Sequence, residues 1–125
     1  MAKKIIIAED DKDILFILDI ALHDAGYIVE VMPEGSALVE RQSDWPDLFI
    51  LDKHMPALDG LEICEYLKLK EETKDIPIIM ISSYHHMKKK ARAIGVNDFI
   101  EKPFNLKDLL KTVRKCIEAK QSSTG

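Results

Sequence analysis

Lys4-Ile5-Ile6-Ile7-Ala8, followed at once by Glu9-Asp10-Asp11, decides the fold together with its echo in Leu48-Phe49-Ile50-Leu51-Asp52. A short unbroken apolar run rich in β-branched residues suits a strand buried on both faces, the pattern of a parallel sheet. From Asp13 onward Ile14, Leu18, Ala21, Leu22 and Ala25 recur at helical spacing, and Gly26 stands where a helix C-terminus often takes a left-handed residue. Tyr27 to Met32 reads as a second strand, Ser36 to Gln42 as a short helix and Leu48 to Leu51 as a third strand. Gly60 to Lys70 reads as a helix with Leu61, Ile63, Cys64 and Leu67 inward. Ile76 to Ile81 is a strand whose Pro77 sits near its start, where a missing N–H is tolerated. Met87 to Ile94 is a basic helix closed by Gly95, and Asp98 to Glu101 is the last strand. Asn105 caps a final helix with an apolar stripe of Leu106, Leu109, Leu110, Val113 and Ile117, Asp108 approximating a capping box. The alternation predicts an α/β fold: a doubly wound, five-stranded parallel sheet with helices on both faces, a βα unit repeated five times. In such folds the functional crevice lies beyond the carboxyl ends of the strands, where the strand order reverses.

The chain has 125 residues, the size of one domain. Its 46% hydrophobic and 32% charged residues match a soluble globular domain and exclude a disordered chain. Met1-Ala2-Lys3-Lys4 leads into the first strand without the apolar region of a signal peptide, and no apolar run reaches membrane-spanning length, so a cytoplasmic protein without membrane contact is expected. Cys64 and Cys116 lie far apart at apolar helical positions, which favours reduced, partly buried thiols. The net charge of −4 conceals an asymmetry: residues 1–64 carry 5 Lys/Arg against 14 Asp/Glu, and residues 65–125 carry 13 against 8. That balance argues against nucleic-acid binding by the whole domain while permitting an acidic site and a basic face on one molecule.

The polar residues that follow the strands sharpen this. Glu9, Asp10 and Asp11 follow the first, Asp52 ends the third, Ser82 and Ser83 end the fourth, and Glu101-Lys102-Pro103 ends the fifth. Crowded carboxylates repel unless a cation relieves them. Oxygen ligands without thiolates or converging histidines favour Mg²⁺, which typically keeps several waters and binds carboxylates together with phosphate oxygens. A carboxylate, a metal, a hydroxyl and an ammonium are what phosphoryl transfer to an aspartate requires.

The segments Ile5-Ile6-Ile7-Ala8-Glu9-Asp10-Asp11, Leu51-Asp52-Lys53-His54-Met55-Pro56-Ala57-Leu58-Asp59-Gly60, Ile78-Ile79-Met80-Ile81-Ser82-Ser83 and Lys102-Pro103-Phe104 together resemble the receiver domain of two-component response regulators, the CheY-like family with its flavodoxin-like fold. The resemblance runs in order over roughly residues 4–119. It implies one receiver domain over residues 1–119 and a polar tail, 120–125, expected to be disordered. It implies that Asp52 is the phosphoacceptor, taking a phosphoryl group from a sensor histidine kinase or a histidine phosphotransfer protein. Asp10 and Asp52 then bind Mg²⁺ with the backbone carbonyl of His54, and Glu9 acts through water. Ser82 and Lys102 grip the phosphoryl group, Ser82 and Phe99 switch on activation, and the Lys102-Pro103 peptide is cis. The implied function is a phosphorylation-controlled switch, self-phosphorylating and self-dephosphorylating rather than a turnover enzyme. Its output passes to an unknown protein through the fourth helix, fifth strand and fifth helix, as a monomer or a phosphorylation-dependent dimer. Because a receiver nearly fills the length, output through protein contacts is expected in place of an attached DNA-binding domain.

Some residues depart from the usual pattern. Glu9 replaces a more common Asp, and bulky Tyr84 and His54 occupy positions that tune hydrolysis of the acyl phosphate. The Ser82–Gly95 segment is about two residues shorter than is usual, which points to a short or shifted fourth helix. A metal reading of His85, His86 and His54 finds no tetrahedral spacing to support it. Lys88, Lys89, Lys90 and Arg92, with Lys111, Arg114 and Lys115, read first as a solvated basic face. The alternative is a pseudo-receiver, a binding module that needs no phosphorylation, against which the full set Asp10, Asp52, Ser82 and Lys102 argues. A haloacid-dehalogenase-type phosphohydrolase expects an acid where His54 stands, and flavodoxin-like flavin binding expects hydroxyls and glycines in the first loop.

Overall fold

The structure, a computed structural model, describes residues 2–55 and 58–123, with side chains through residue 119. Pro56 and Ala57 of the acceptor segment, and Thr124 and Gly125, lie outside the described residues. The chain alternates β1 (Lys4–Ala8), α1 (Lys12–Asp24), β2 (Ile28–Met32), α2 (Ser36–Glu40), β3 (Leu48–Asp52), α3 (Gly60–Leu69), β4 (Ile78–Ser82), α4 (Lys88–Ile94), β5 (Asp98–Glu101) and α5 (Leu106–Ser123), with one 3-10 turn over His85–Met87 ahead of α4. The strands form one sheet in the order β2-β1-β3-β4-β5, every pairing parallel. The order reverses between β1 and β3, so the crevice that a doubly wound sheet offers opens above their carboxyl ends.

The β-strand period of two divides the apolar runs between two cores. Ile5, Ile7, Leu48, Ile50, Ile79 and Ile81 pack with Leu18 and Leu22 of α1 and Leu109, Val113, Cys116 and Ile117 of α5. Ile6, Ala8, Phe49, Leu51, Ile78, Met80 and Phe99 pack on the other face with Leu38 of α2, Leu61, Ile63, Cys64 and Leu67 of α3 and Ala91 of α4. The two buried cysteines are free and belong to different cores, separated by the sheet.

Helix ends follow local chemistry. Asp11 caps α1 by accepting from the amides of Asp13 and Ile14 at 2.9 and 3.2 Å. Gly26 and Gly95, at φ 100° and 121°, stand just past the ends of α1 and α4. The box expected at α5 is only half present among the described contacts, since Asn105 Oδ1 accepts from Lys107 N at 2.8 Å and Asp108 N at 3.4 Å. A full capping box lies instead at α3, where Asp59 and Glu62 exchange side-chain and backbone bonds. Helix α2 ends at Glu40, short of the expected Gln42, because Arg41 leaves the helix to bind Glu30 at 2.6 and 3.0 Å. Helix α5 continues to Ser123, so the backbone of residues 120–123, assigned from sequence to a disordered tail, is helical. Lys120 and Gln121 are good helix formers, and no breaker precedes Gly125.

Candidate phosphoacceptor site

Strand β1 delivers Glu9 and Asp10 to the switch point, and β3 delivers Asp52 beside them because β1 and β3 pair in register, Ala8 opposite Leu51. Glu9 is 1% exposed and Asp52 2%, whereas Asp10 is exposed. Ligand oxygens of Glu9, Asp10 and Asp52 all lie within 4.8 Å of one another, close enough to share one cation. No group of three histidine, cysteine or acidic residues that could hold a metal elsewhere is found among the described residues, so His54, His85 and His86 form no such cluster.

Strand β5 brings the ammonium. Lys102 follows Glu101, which pairs with Ser82 across β4 and β5, and the Lys102 amide donates to the Ser82 carbonyl at 2.9 Å. The Lys102-Pro103 peptide is cis, as the sequence resemblance implies. From there Nζ stands 3.0 Å from Glu9 Oε1 and 3.3 Å from Asp52 Oδ2. Glu9 Oε1 has no partner in full hydrogen-bond geometry, so the Lys102 contact there is an ion pair alone. Glu9 Oε2 accepts from the Asp11 amide at 3.1 Å, and Asp52 Oδ1 accepts from the His54 amide at 3.2 Å.

The electrostatics follow from burial. Desolvation pushes Glu9 up to about 8, the neighbouring Asp52 carboxyl adds to the rise, and Lys102 with the Asp11 amide oppose it. Burial thus favours the protonated form of Glu9, the response of a site with more negative charge than its own cation neutralises. Burial alone lowers Lys102, but its pairing with Glu9 and Asp52 outweighs this and raises it, keeping the ammonium charged. The donor set fits a hard divalent cation: carboxylate oxygens, one of them buried and lacking a hydrogen bond.

The surrounding residues hold this geometry. Gly60 lies so close to the acceptor strand that a Cβ there would meet the Asp52 carbonyl oxygen at 2.5 Å. Its amide donates to the Lys53 carbonyl at 3.1 Å, and Lys53 Nζ bonds Asp59 at 3.0 Å, so the loop after Asp52 is tied to the α3 cap. Ser82 is fully buried, and its Oγ accepts from the Tyr84 amide at 3.0 Å. Tyr84 is 49% exposed and sets its ring edge against His54, centroids 4.7 Å apart. Phe99 does not join this group. It is buried on the α2–α4 side of the sheet, opposite Met80 in the strand register.

Two features went unread in the sequence. Asp11, counted there among the site acids, serves as the α1 cap; a short acid just before helical periodicity was the available signal. Beside Lys102, Ile14, Ile17, Ser83, Pro103, Phe104 and Leu106 line a cleft of about 480 Å³. Phe16, Ile17 and Ile20 are exposed on α1, off the helical stripe of Leu18 and Leu22.

Residues 5–114 match the response regulator receiver domain. The chain is 31% identical over 117 residues to the phosphate regulon transcriptional regulatory protein PhoB of Escherichia coli, covering 91% of this chain and 51% of PhoB. It is 33% identical to the DNA-binding dual master transcriptional regulator RpaA of Synechocystis, covering 89% of this chain and 47% of RpaA. The chain therefore spans about half the length of these relatives. The high-resolution structure of the chemotaxis response regulator CheY4 of Vibrio cholerae superposes with a TM-score of 0.85 at 31% identity, covering 93% of this chain and 99% of that one. The domain match, the relatives and the parallel sheet with acids at its switch point agree: the chain belongs to the response regulator receiver domain family.

Proposed function

We propose that this receiver accepts a phosphoryl group on Asp52 in a Mg²⁺-dependent reaction and passes the change to a protein-binding surface. The observation that carries the reading is the placement of one ammonium, Lys102 Nζ, 3.0 and 3.3 Å from Glu9 and Asp52 at the sheet's switch point, with Asp10 completing an oxygen cluster. Asp10, Asp52 and the His54 backbone carbonyl would hold the ion directly, and Glu9 through water. When bound, Mg²⁺ neutralises the acids and draws charge from the phosphoryl oxygens.

In the reaction, an Asp52 carboxylate oxygen attacks phosphorus, the P–N bond of a phosphohistidine breaks, and the released imidazole takes a proton from solvent. Lys102 leaves its carboxylate partners to pair with the phosphoryl oxygens, and the Ser82 hydroxyl donates to another of them. The donor is a sensor histidine kinase or a histidine phosphotransfer protein. Reorientation of Ser82 and Phe99 then biases the α4, β5 and α5 surface toward its active form. Asp52 is consumed and regenerated within one chain, so the domain acts as a phosphoacceptor switch. The receiver unit comprises residues 1–119, working in the cytoplasm.

The test is incubation with acetyl phosphate and Mg²⁺ followed by intact-mass measurement. Wild type gains one phosphate, and the gain is abolished by EDTA and by Asp52→Asn. Wild type that gains none under these conditions defeats the reading and leaves a phosphorylation-independent binding module.

A further inference from the structure

We propose that the cleft beside Lys102 is a selectivity pocket for small phosphoryl donors, taking the apolar, aromatic body of an acyl phosphate whose phosphoryl group goes to Asp52. The proposal rests on Asp52 as phosphoacceptor and adds the class of donor that the site prefers.

The cleft is walled by the first turns of two helices. Ile14 and Ile17 stand on α1 and Leu106 opens α5, with Pro103 and Phe104 of the loop after β5 between them. Caps hold both walls: Asp11 Oδ1 accepts from the Ile14 amide at 3.2 Å, and Asn105 Oδ1 from the Lys107 amide at 2.8 Å. The Lys102 amide, bound to the Ser82 carbonyl at 2.9 Å, fastens the loop to β4. A cleft formed before anything enters it costs an occupant little in ordering.

The fold accounts for only part of the lining. Ile14 and Phe104 pack against the core between the sheet and α1 and α5, but Ile17 is 45% exposed and Leu106 38%. A concave, mainly apolar lining with few polar groups is the usual form of a small-ligand site, and about 480 Å³ lies in the usual range of volumes.

Two observations set the chemistry of the occupant. Lys102 lines the cleft and also places Nζ against Glu9 and Asp52, so a ligand in the cleft continues directly into the phosphoacceptor site. No acid lines the cleft, and Lys102 is its one charged residue. An anionic head therefore belongs at Lys102, and an apolar body between Ile17 and Leu106. Exposed Ser83, whose hydroxyl makes no hydrogen bond among the described residues, offers a donor to the acyl carbonyl. In the transfer an Asp52 carboxylate oxygen bonds to phosphorus and the bond from phosphorus to the acyl oxygen breaks. The released carboxylate keeps that electron pair, so no proton moves. Benzoyl phosphate fills the cleft, whereas the methyl of acetyl phosphate leaves most of it empty.

The experiment labels the whole chain with benzoyl phosphate or acetyl phosphate in Mg²⁺ and follows the phosphorylated mass. Each kcat/KM is divided by the rate at which the same donor phosphorylates free imidazole, which removes intrinsic reactivity. The expected ratio favours benzoyl phosphate by roughly tenfold or more, since apolar area removed from water stabilises in proportion. The double variant I17S/L106S, both positions exposed, brings the ratio toward one, and circular dichroism checks its fold. Leu69→Ser, at an 87% exposed residue of α3, leaves the ratio as in wild type. Binding is read separately by methyl NMR with benzoylphosphonate, which cannot transfer its phosphorus because carbon replaces the bridging oxygen. It should shift the Ile17 and Leu106 methyl signals, and acetylphosphonate should not. A normalised ratio near one in wild type overturns the proposal, as does a ratio unchanged in I17S/L106S. Sedimentation showing a dimer that I17S/L106S dissolves overturns it in favour of a second copy covering the cleft. Labelling by acetyl phosphate without preference overturns the pocket alone, whereas failure of both donors to label overturns Asp52 as acceptor and the pocket with it.

Discussion

Replacing Glu9 by Gln tests the electrostatics of the site in one measurement. Glu9 is pushed up to about 8 by burial and by Asp52, against 4.5 for the same carboxyl in a free chain. The folded state therefore binds this proton more tightly than the unfolded state. The stabilising contribution is whole below about pH 4.5 and is lost as pH rises through about 8. Linkage at about 1.4 kcal/mol per unit makes the loss between pH 6 and pH 9 roughly 2–3 kcal/mol. Gln keeps the shape, can accept from the Asp11 amide, and has no proton to lose. In EDTA, E9Q should therefore already be the more stable at pH 6, since part of the wild-type contribution is lost between about pH 4.5 and pH 6. From pH 6 to pH 9 the gap in favour of the variant should widen by that roughly 2–3 kcal/mol, about 10 °C in Tm for a domain of this size. Urea denaturation of both proteins at the two pH values reads the difference, and groups common to both cancel. A gap that stays constant from pH 6 to pH 9 would refute the raised proton affinity of Glu9.

Other consequences are as concrete. Gly60→Ala places a methyl 2.5 Å from the Asp52 carbonyl oxygen, so it should cost about 1–3 kcal/mol in urea denaturation and slow acetyl-phosphate labelling by displacing the acceptor strand; full stability and labelling would show that the loop gives way freely. Asp59→Ala removes both the α3 cap and the partner of Lys53, and a loss of about 1 kcal/mol is expected, with no change under 0.3 kcal/mol compatible with this account. His54 and Tyr84 touch ring to ring, so their effects on phospho-Asp lifetime should be coupled. Alanine at each alone and at both, followed by loss of the phosphorylated mass, should give a double variant that differs from the product of the singles; a simple product would show that they act independently.

The alternation of apolar runs and helical periods was enough to read the five βα units, and β1 and β5 fall on the bounds read from sequence. Misjudged ends have contacts as their cause. Strand β4 begins at Ile78, not Ile76, and extends to Ser82, because the ladder is set by its neighbours: Phe49 faces Ile78, and Glu101 faces Ser82. The end of α2 is decided by Glu30, eleven residues away from Arg41.

For the site, residue types and their place after strands carried the information. Carboxylates following two different apolar strands, a hydroxyl and a Lys-Pro step are legible because backbone direction in a parallel sheet puts every strand's carboxyl end on one edge. That much belongs to the chain order alone. Which acids are buried, and which one the lysine pairs with, depends on strand order and register, and these exist only once the sheet is assembled. Asp11 and Glu9 are both acids of one loop, yet the first becomes an exposed helix cap and the second a buried carboxyl pushed up to about 8. Local pattern specifies elements and their direction; desolvation and pairing are properties of distances between segments, which the tertiary structure alone sets.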